Sequence, residues 1–219
     1  MFLVVQAHQY QKYVKLLDQA FRLRKKVFFD RLGWDVTVSG PHERDAYDAL
    51  GPAYLMWCDE TGTQLYGTVR LMPTTGPTLL YDVFRSTFGD ISLVAPDIWE
   101  GTRMCIDTEK IEMSLPELEP SRAFGLLLLA LCECAQHHGI TTMISNYEPQ
   151  LRRLYKRAGL EVEELGRSNG FGKFPVCCGA FEVSELVRRK MAEKLGVETT
   201  LYTPLRSISS HPVISSAAA

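Results

Sequence analysis

The sequence predicts an α/β protein, with helices layered on one mixed sheet. Three observations predict it. Strand-like runs cluster early, at AYLMWC (53–58), QLYGTVRLMP (64–73) and IWEGTRMCID (98–107). A helix–strand–helix unit follows late, from about 121 to 158. And 219 residues at 46% hydrophobic and 10% aromatic can bury a core of one domain, taken here as residues 1–206.

The elements follow in order. FLVVQA alternates into a first strand. Residues 9–30 are helical in pattern, with Tyr13, Leu16, Leu17, Ala20, Phe21, Val27 and Phe28 recurring near helical spacing. Pro41, Gly51 and Pro52 make 35–52 an irregular loop. The first two strand-like runs are joined by DETGTQ, where Thr61-Gly62 reads as a hairpin turn. Ser121 is placed to cap a helix through LLLLALCECAQHH that stops at Gly139. ITTMISN (140–146) is the next strand. A second helix runs from about Pro149 to Ala158 and ends at Gly159. FGKFPVCCGAFEV (171–183) reads as a final strand or strand pair, and Ser184 caps a last helix, SELVRRKMAEKLG. Residues 207–219, SISSHPVISSAAA, read as a disordered tail.

Composition excludes several classes. Lys plus Arg total 24 against 26 Asp plus Glu, a net charge of -2, which argues against a global nucleic-acid binder. FGLLLLALC (124–132), the longest apolar run, falls short of the roughly 18–20 residues of a membrane span. MFLVVQA lacks the basic start of an export signal. The six cysteines (58, 105, 132, 134, 177 and 178) therefore read as reduced thiols of a cytoplasmic protein. Cys132 and Cys134 point about 200° apart on a helix and cannot share an ion, and paired zinc-ligand sets are missing, so no metal is expected. The vicinal Cys177 and Cys178 read as one in, one out.

Several residues sit where charge is inconvenient. Arg70 lies within an apolar strand, and Glu100 and Arg103 lie within another. Three apart, the latter two would face opposite ways in a regular strand, and Gly101 offers a bulge to reunite them. The plain alternative is edge-strand surface charge. If buried, Glu100 with Arg103 or Arg70 would make an internal pair. Asp45 and Asp48, three apart in a loop, suit a cation, acid–base work or a solvated turn. FRLRKKVFFDRLGW (21–34) concentrates three arginines, two lysines, three phenylalanines and a tryptophan, which suits either a helix end or a pocket for a flat, charged ligand. Arg152, Arg153, Lys156 and Arg157 form one cationic helix face, either solvated or a dock for an acidic partner. Arg122 and Gly125 partly match the Arg-x-x-Gly loop with which acetyl-CoA-using N-acyltransferases hold a pyrophosphate, though Leu127 departs from it.

Taken together, Arg24, Phe28 and Trp34, then Asp45 and Asp48, then Arg70, then Glu100 and Arg103 resemble in order and spacing the signature of the acyl-homoserine lactone synthases, the LuxI-type autoinducer synthase family. The resemblance covers roughly residues 1–185. It implies a three-layer α-β-α fold with one mixed, mostly antiparallel sheet and a splayed gap between two central strands, similar to the acetyl-CoA-dependent N-acyltransferases. It implies a quorum-sensing enzyme of the cytoplasm that acylates the amine of S-adenosylmethionine (SAM) from an acyl-acyl carrier protein. The enzyme then closes the lactone and releases 5′-methylthioadenosine. SAM is a substrate, and no cofactor is expected. Glu100, Arg103 and Arg70 become the catalytic set, with Glu100 as base. Arg24, Phe28, Trp34, Asp45 and Asp48 become the SAM site, the acids meeting its positive charges and the segment ordering around it. Trp99, Met143, Ser145 and Phe174 become acyl-pocket candidates, Ser145 at a position associated with 3-oxo chains. Arg152, Arg153, Lys156 and Arg157 become the carrier-protein dock, with acyl-CoA as an alternative donor.

Overall fold

The computed structural model describes residues 1–204, so the expected tail at 207–219 lies outside the described residues. Its strands are β1 (Phe2–Val5), β2 (Val38–Ser39), β3 (His42–Glu43), β4 (Ala53–Cys58), β5 (Leu65–Pro73), β6 (Ile98–Ile106), β7 (Thr142–Tyr147), β8 (Glu163–Ser168) and β9 (Val176–Glu182). Its helices are α1 (Val14–Arg24), α2 (Leu79–Asp82), α3 (Thr108–Ser114), α4 (Pro120–His137), α5 (Arg152–Arg157) and α6 (Glu185–Leu195). Seven strands form one sheet in the order β1-β4-β5-β6-β7-β9-β8. Every adjacent pair is antiparallel except β6 and β7. The sheet is thus mixed and mostly antiparallel, as expected.

Two apolar layers cover it. α4 packs one face with Leu127, Leu128, Leu131 and Met143 among its core, and α1 packs the other with Leu16, Leu17, Ala20 and Phe21. The same layering explains the cysteines. All six are free and buried. Cys177 and Cys178 point to opposite faces, and both faces are covered.

Several expectations need correction. The helix over 9–30 is not continuous: α1 ends at Arg24, and Lys25–Arg31 is wound as a π-helix. The loop at 35–52 holds the β2–β3 hairpin and a 3-10 turn, Ala46–Leu50. Glu119, not Ser121, is the N-cap of α4, with Pro120 in the first turn where its missing N–H costs nothing. A 3-10 turn at Pro149–Leu151 precedes α5. Strand β8 and helices α2 and α3 lie outside the elements the sequence predicts. The EELGRS of β8 lies at the sheet edge, half-buried except at Glu163 and Arg167, and it lacks an apolar alternation to read.

β6 pairs with β7 only through Ile98–Thr142, Trp99–Met143 and Glu100–Ile144. Beyond that point both strands continue without pairing to each other. The splayed gap implied by the resemblance lies here.

Candidate active site

β6 carries one residue more than β5 between the pairs Thr68–Cys105 and Arg70–Thr102. The extra residue is taken up at Arg103, whose φ of 54° is the one positive value outside glycine among the described residues. The bulge therefore sits at Arg103 and not at Gly101. It returns Arg103 to the side of the sheet that carries Arg70, where its partners are Glu43 and Asp45 and not the expected Glu100.

There, three arginines and three carboxylates close on one another. Arg24 grips both oxygens of Asp48 at 2.7 and 2.9 Å and gives its Nε to Glu43. Arg70 donates to both oxygens of Asp45, to Asp48 at 3.0 Å and to the Thr102 hydroxyl at 3.0 Å. Arg103 donates to Glu43 at 3.1 Å and to Asp45 at 3.2 Å. Tyr54 donates its hydroxyl to Asp48. Burial alone would raise the Asp48 carboxyl; the Arg24 hydrogen bonds and the charges of Arg24 and Arg70 hold it well below the ordinary range. Asp45 and Asp48 are three apart because they are N-cap and N3 of the same 3-10 turn, bonding reciprocally to its backbone.

Glu100 departs from expectation. It pairs with neither Arg103 nor Arg70. One oxygen accepts the Leu79 N–H at 3.1 Å, and the other, Oε1, has no partner among the described residues. It is 0% exposed, and burial pushes its carboxyl up to about 7.

Beside this pair of features a cleft of about 460 Å³ opens where β6 and β7 part. Phe28, Arg31 and Trp34 form one wall, with the Phe28 and Trp34 rings 5.5 Å apart. Residues 101–106 of β6 line the floor. Ser145, Asn146, Tyr147 and Glu148 line the far side with Phe124, Leu151, Leu154 and Tyr155. The Arg103 guanidinium lies 5.4 Å from the Phe28 ring centre. Of the six cluster members only Arg103 reaches the cleft; Arg24, Glu43, Asp45, Asp48 and Arg70 lie behind it. Glu100 also lies behind the lining, next to Leu79, Gly101 and Thr102, which do line it.

The expected acyl-pocket set divides. Ser145 lines the cleft. Met143 is fully buried in the α4 core, and Trp99 packs against the same core with its indole bonded to the Pro96 carbonyl. Phe174 is 44% exposed. None of these three lines the cleft. The Arg122–Gly125 pair serves helix packing: Arg122 donates to the Leu195 carbonyl at the end of α6, and a Cβ on Gly125 would lie 2.6 Å from Leu195. The four cations at 152–157 are exposed on α5, and among the described residues only Arg152 has a partner, Glu164 at 3.7 Å. Among the described residues no group of three or more His, Cys, Asp or Glu is placed to hold a metal ion, and no helix is long and apolar enough to cross a membrane.

Two further site residues carry little or no local sequence signal. Glu43 sits on a strand of two residues, too short for any pattern, and its only signal was the charge density of ERDAYD. Glu148 accepts the Trp34 indole N–H at 2.7 Å across 114 residues, and nothing local in NYEPQ announces it.

The profile of the autoinducer synthase family matches residues 8–191. An acyl-homoserine-lactone synthase of Rhizobium etli is 40% identical over 157 residues, 70% of this chain and 71% of that one. One from Agrobacterium fabrum is 34% identical over 172 residues, 78% of this chain and 80% of that one. Among solved structures, BjaI, a CoA-dependent acyl-homoserine lactone synthase with SAM and isopentyl-CoA, is similar with a TM-score of 0.77 at 22% identity, covering 91% of both chains.

Proposed function

This chain belongs to the autoinducer synthase family, as an acyl-transferring enzyme of acyl-homoserine lactone synthesis, and from that premise we propose that it joins an acyl group from an acyl carrier protein to the amine of SAM in the cleft between β6 and β7. The observation that carries the reading is the cleft itself. An aromatic pair and a guanidinium occupy one side of a strand split, an apolar wall occupies the other, and a buried carboxyl of raised pKa stands beside it.

Phe28 and Trp34 offer π faces to the adenine ring or the sulfonium, a contact worth about 0.5–2 kcal/mol. Arg103 is the cleft's donor for the methionine carboxylate, held in its left-handed backbone by the salt-bridge cluster. Arg24, Asp45, Asp48 and Arg70 act on the guest through Arg103. The ammonium of SAM must lose a proton before nitrogen can attack the thioester carbon, because it has no lone pair. A free α-amino group titrates at about 7.7–8.0 and the sulfonium lowers it further. Glu100 accepts that proton through one water, since its carboxyl is enclosed and its Oε1 is an open acceptor. The carrier thiol then leaves. The methionine carboxylate next displaces sulfur at Cγ, where the sulfonium is already a good leaving group and positioning suffices. The products are the lactone and 5′-methylthioadenosine.

Phe124, Leu151 and Leu154 suit the acyl chain, and Ser145 suits an oxygen on it. α5 supports a carrier protein as donor: its inner residues line the cleft while Arg153, Lys156 and Arg157 face outward without partners among the described residues. The test is to mix the protein with SAM and a set of acyl-carrier and acyl-CoA thioesters, then look by mass spectrometry for lactone and 5′-methylthioadenosine. Lactone from CoA thioesters alone would reassign the donor. Absence of both products would defeat the reading.

A further inference from the structure

We propose that Glu148 supplies the negative charge that the cleft presents to a cationic substrate, while anchoring the Trp34 indole against that same guest. The proposal rests on the functional reading above and assigns a task that the family resemblance implies for Asp45 and Asp48. Those two acids are spent. Each is bonded to arginine guanidinium groups, neither lines the cleft, and the cluster of three arginines and three carboxylates is neutral without any guest.

Among the lining residues Glu148 is the sole carboxylate. It is 5% exposed. Its Oε1 accepts the Trp34 indole N–H at 2.7 Å, and its Oε2 accepts the Gln150 side-chain amide. Both donors are neutral, and among the described residues no arginine, lysine or histidine forms an ion pair with it. A carboxylate so enclosed is costly unless a cation matches it. The buried acids Glu43 and Asp48 behind the cleft each have an arginine partner, which Glu148 lacks among the described residues.

Position supports the assignment. Glu148 follows directly on β7, past the last pairing of that strand with β6, and so stands at the split. It ties the far side of the cleft to the Phe28–Trp34 wall. The cleft then has two poles: Arg103, with Arg31 also in the lining, for a carboxylate, and Glu148 for a positive centre beside an aromatic face. A zwitterion with a sulfonium matches that pairing. A neutral thioether nucleoside uses the aromatic face alone.

The test compares SAM with 5′-methylthioadenosine, which keeps the nucleoside and lacks the cationic methionine arm. Glu148→Gln keeps an acceptor for the indole and removes the charge. By calorimetric titration its affinity for SAM should fall about tenfold, the scale of one charge-assisted contact. Its affinity for 5′-methylthioadenosine should stay within about twofold, with tryptophan fluorescence unchanged. Unchanged SAM affinity, or equal weakening of both ligands, overturns the proposal; equal weakening would mean that Glu148 holds the indole or reads the nucleoside. Should the glutamine variant not fold, Glu148→Asp, which keeps the charge but draws it back by one methylene, must still weaken SAM more than 5′-methylthioadenosine. Wild-type protein that binds neither ligand defeats the functional reading itself.

Discussion

Arg24 serves two carboxylates at once, and that double use explains why it is buried inside the protein and not in the cleft. Its fork fills both oxygens of Asp48, while its Nε holds Glu43 against Arg103. Removing one member leaves charges buried without a partner. Asp48→Asn should therefore lower unfolding stability by about 3–5 kcal/mol, measured by urea denaturation at neutral pH. A loss under 1 kcal/mol would mean that the cluster is solvated in solution. The gain from Asp48 follows the depressed-carboxyl sign: it is present above the ordinary aspartate pKa and lost as pH falls below it. Glu100 makes the opposite case. As the proposed base, it must be ionised to act, so kcat/KM should rise with pH through about 7. Glu100→Gln should lose that limb and cut the acylation rate by about 10²-fold or more. The amine limb of SAM should persist in both proteins. A variant within about twofold of wild type would remove Glu100 from the chemistry. At this scale the sequence showed which residue types gather, but not which of them neutralise one another. Arg24 meets Glu43 and Asp48 across 19 and 24 residues, and no local spacing encodes such closure.

Strands β4, β5 and β6 were legible to within a residue or two, because each alternates or runs apolar between turn residues. The passage from α1 into the π-wound Lys25–Arg31 was not. A π turn shifts the hydrogen-bond partner by one residue without changing the apolar pattern, yet the segment begins directly after Arg24 of the cluster and carries Phe28 to the cleft. α5 was legible as a cationic face, but its inner contribution to the cleft was not. Its two faces lead to a kinetic expectation. Reversing Arg153 and Lys156 to glutamate should raise KM for an acyl carrier protein about tenfold at low salt, with KM for SAM unchanged and the difference shrinking as salt is added. An unaltered carrier KM would place the dock elsewhere. Strand β9 makes a packing demand of a different kind. A Cβ on Gly179 would lie 2.5 Å from Val162 and 2.7 Å from the Tyr147 ring, and Tyr147 lines the cleft. Gly179→Ala should lower the urea midpoint by an equivalent of about 1–3 kcal/mol. An unshifted midpoint would show that β7 and its neighbours yield freely.

The molecule places the carboxyl proposed as its base where both sheet faces are covered, and that choice costs stability. Glu100 sits at the last residue of β6 still paired with β7, beneath α2 and fully enclosed. Its proton is bound more tightly in the folded chain, where the pKa is about 7, than in the unfolded chain, where it is that of an ordinary glutamate. A raised acid of this kind contributes stability below the ordinary value, and that contribution is lost as pH rises through about 7. Glu100→Gln has no such titration, and its Oε1 can still accept the Leu79 N–H. The stability of the variant minus that of wild type should therefore drift in favour of glutamine as pH goes from 4 to 8. The drift should total on the order of 3 kcal/mol, whatever constant offset the amide adds. Acid losses from Asp48 and the other depressed carboxyls are common to both proteins and cancel in the difference. Parallel thermal or urea unfolding curves at half-unit pH steps measure it. A flat difference would mean that Glu100 titrates like a solvated carboxyl, and both its burial and its role as a neutral-pH base would fall together.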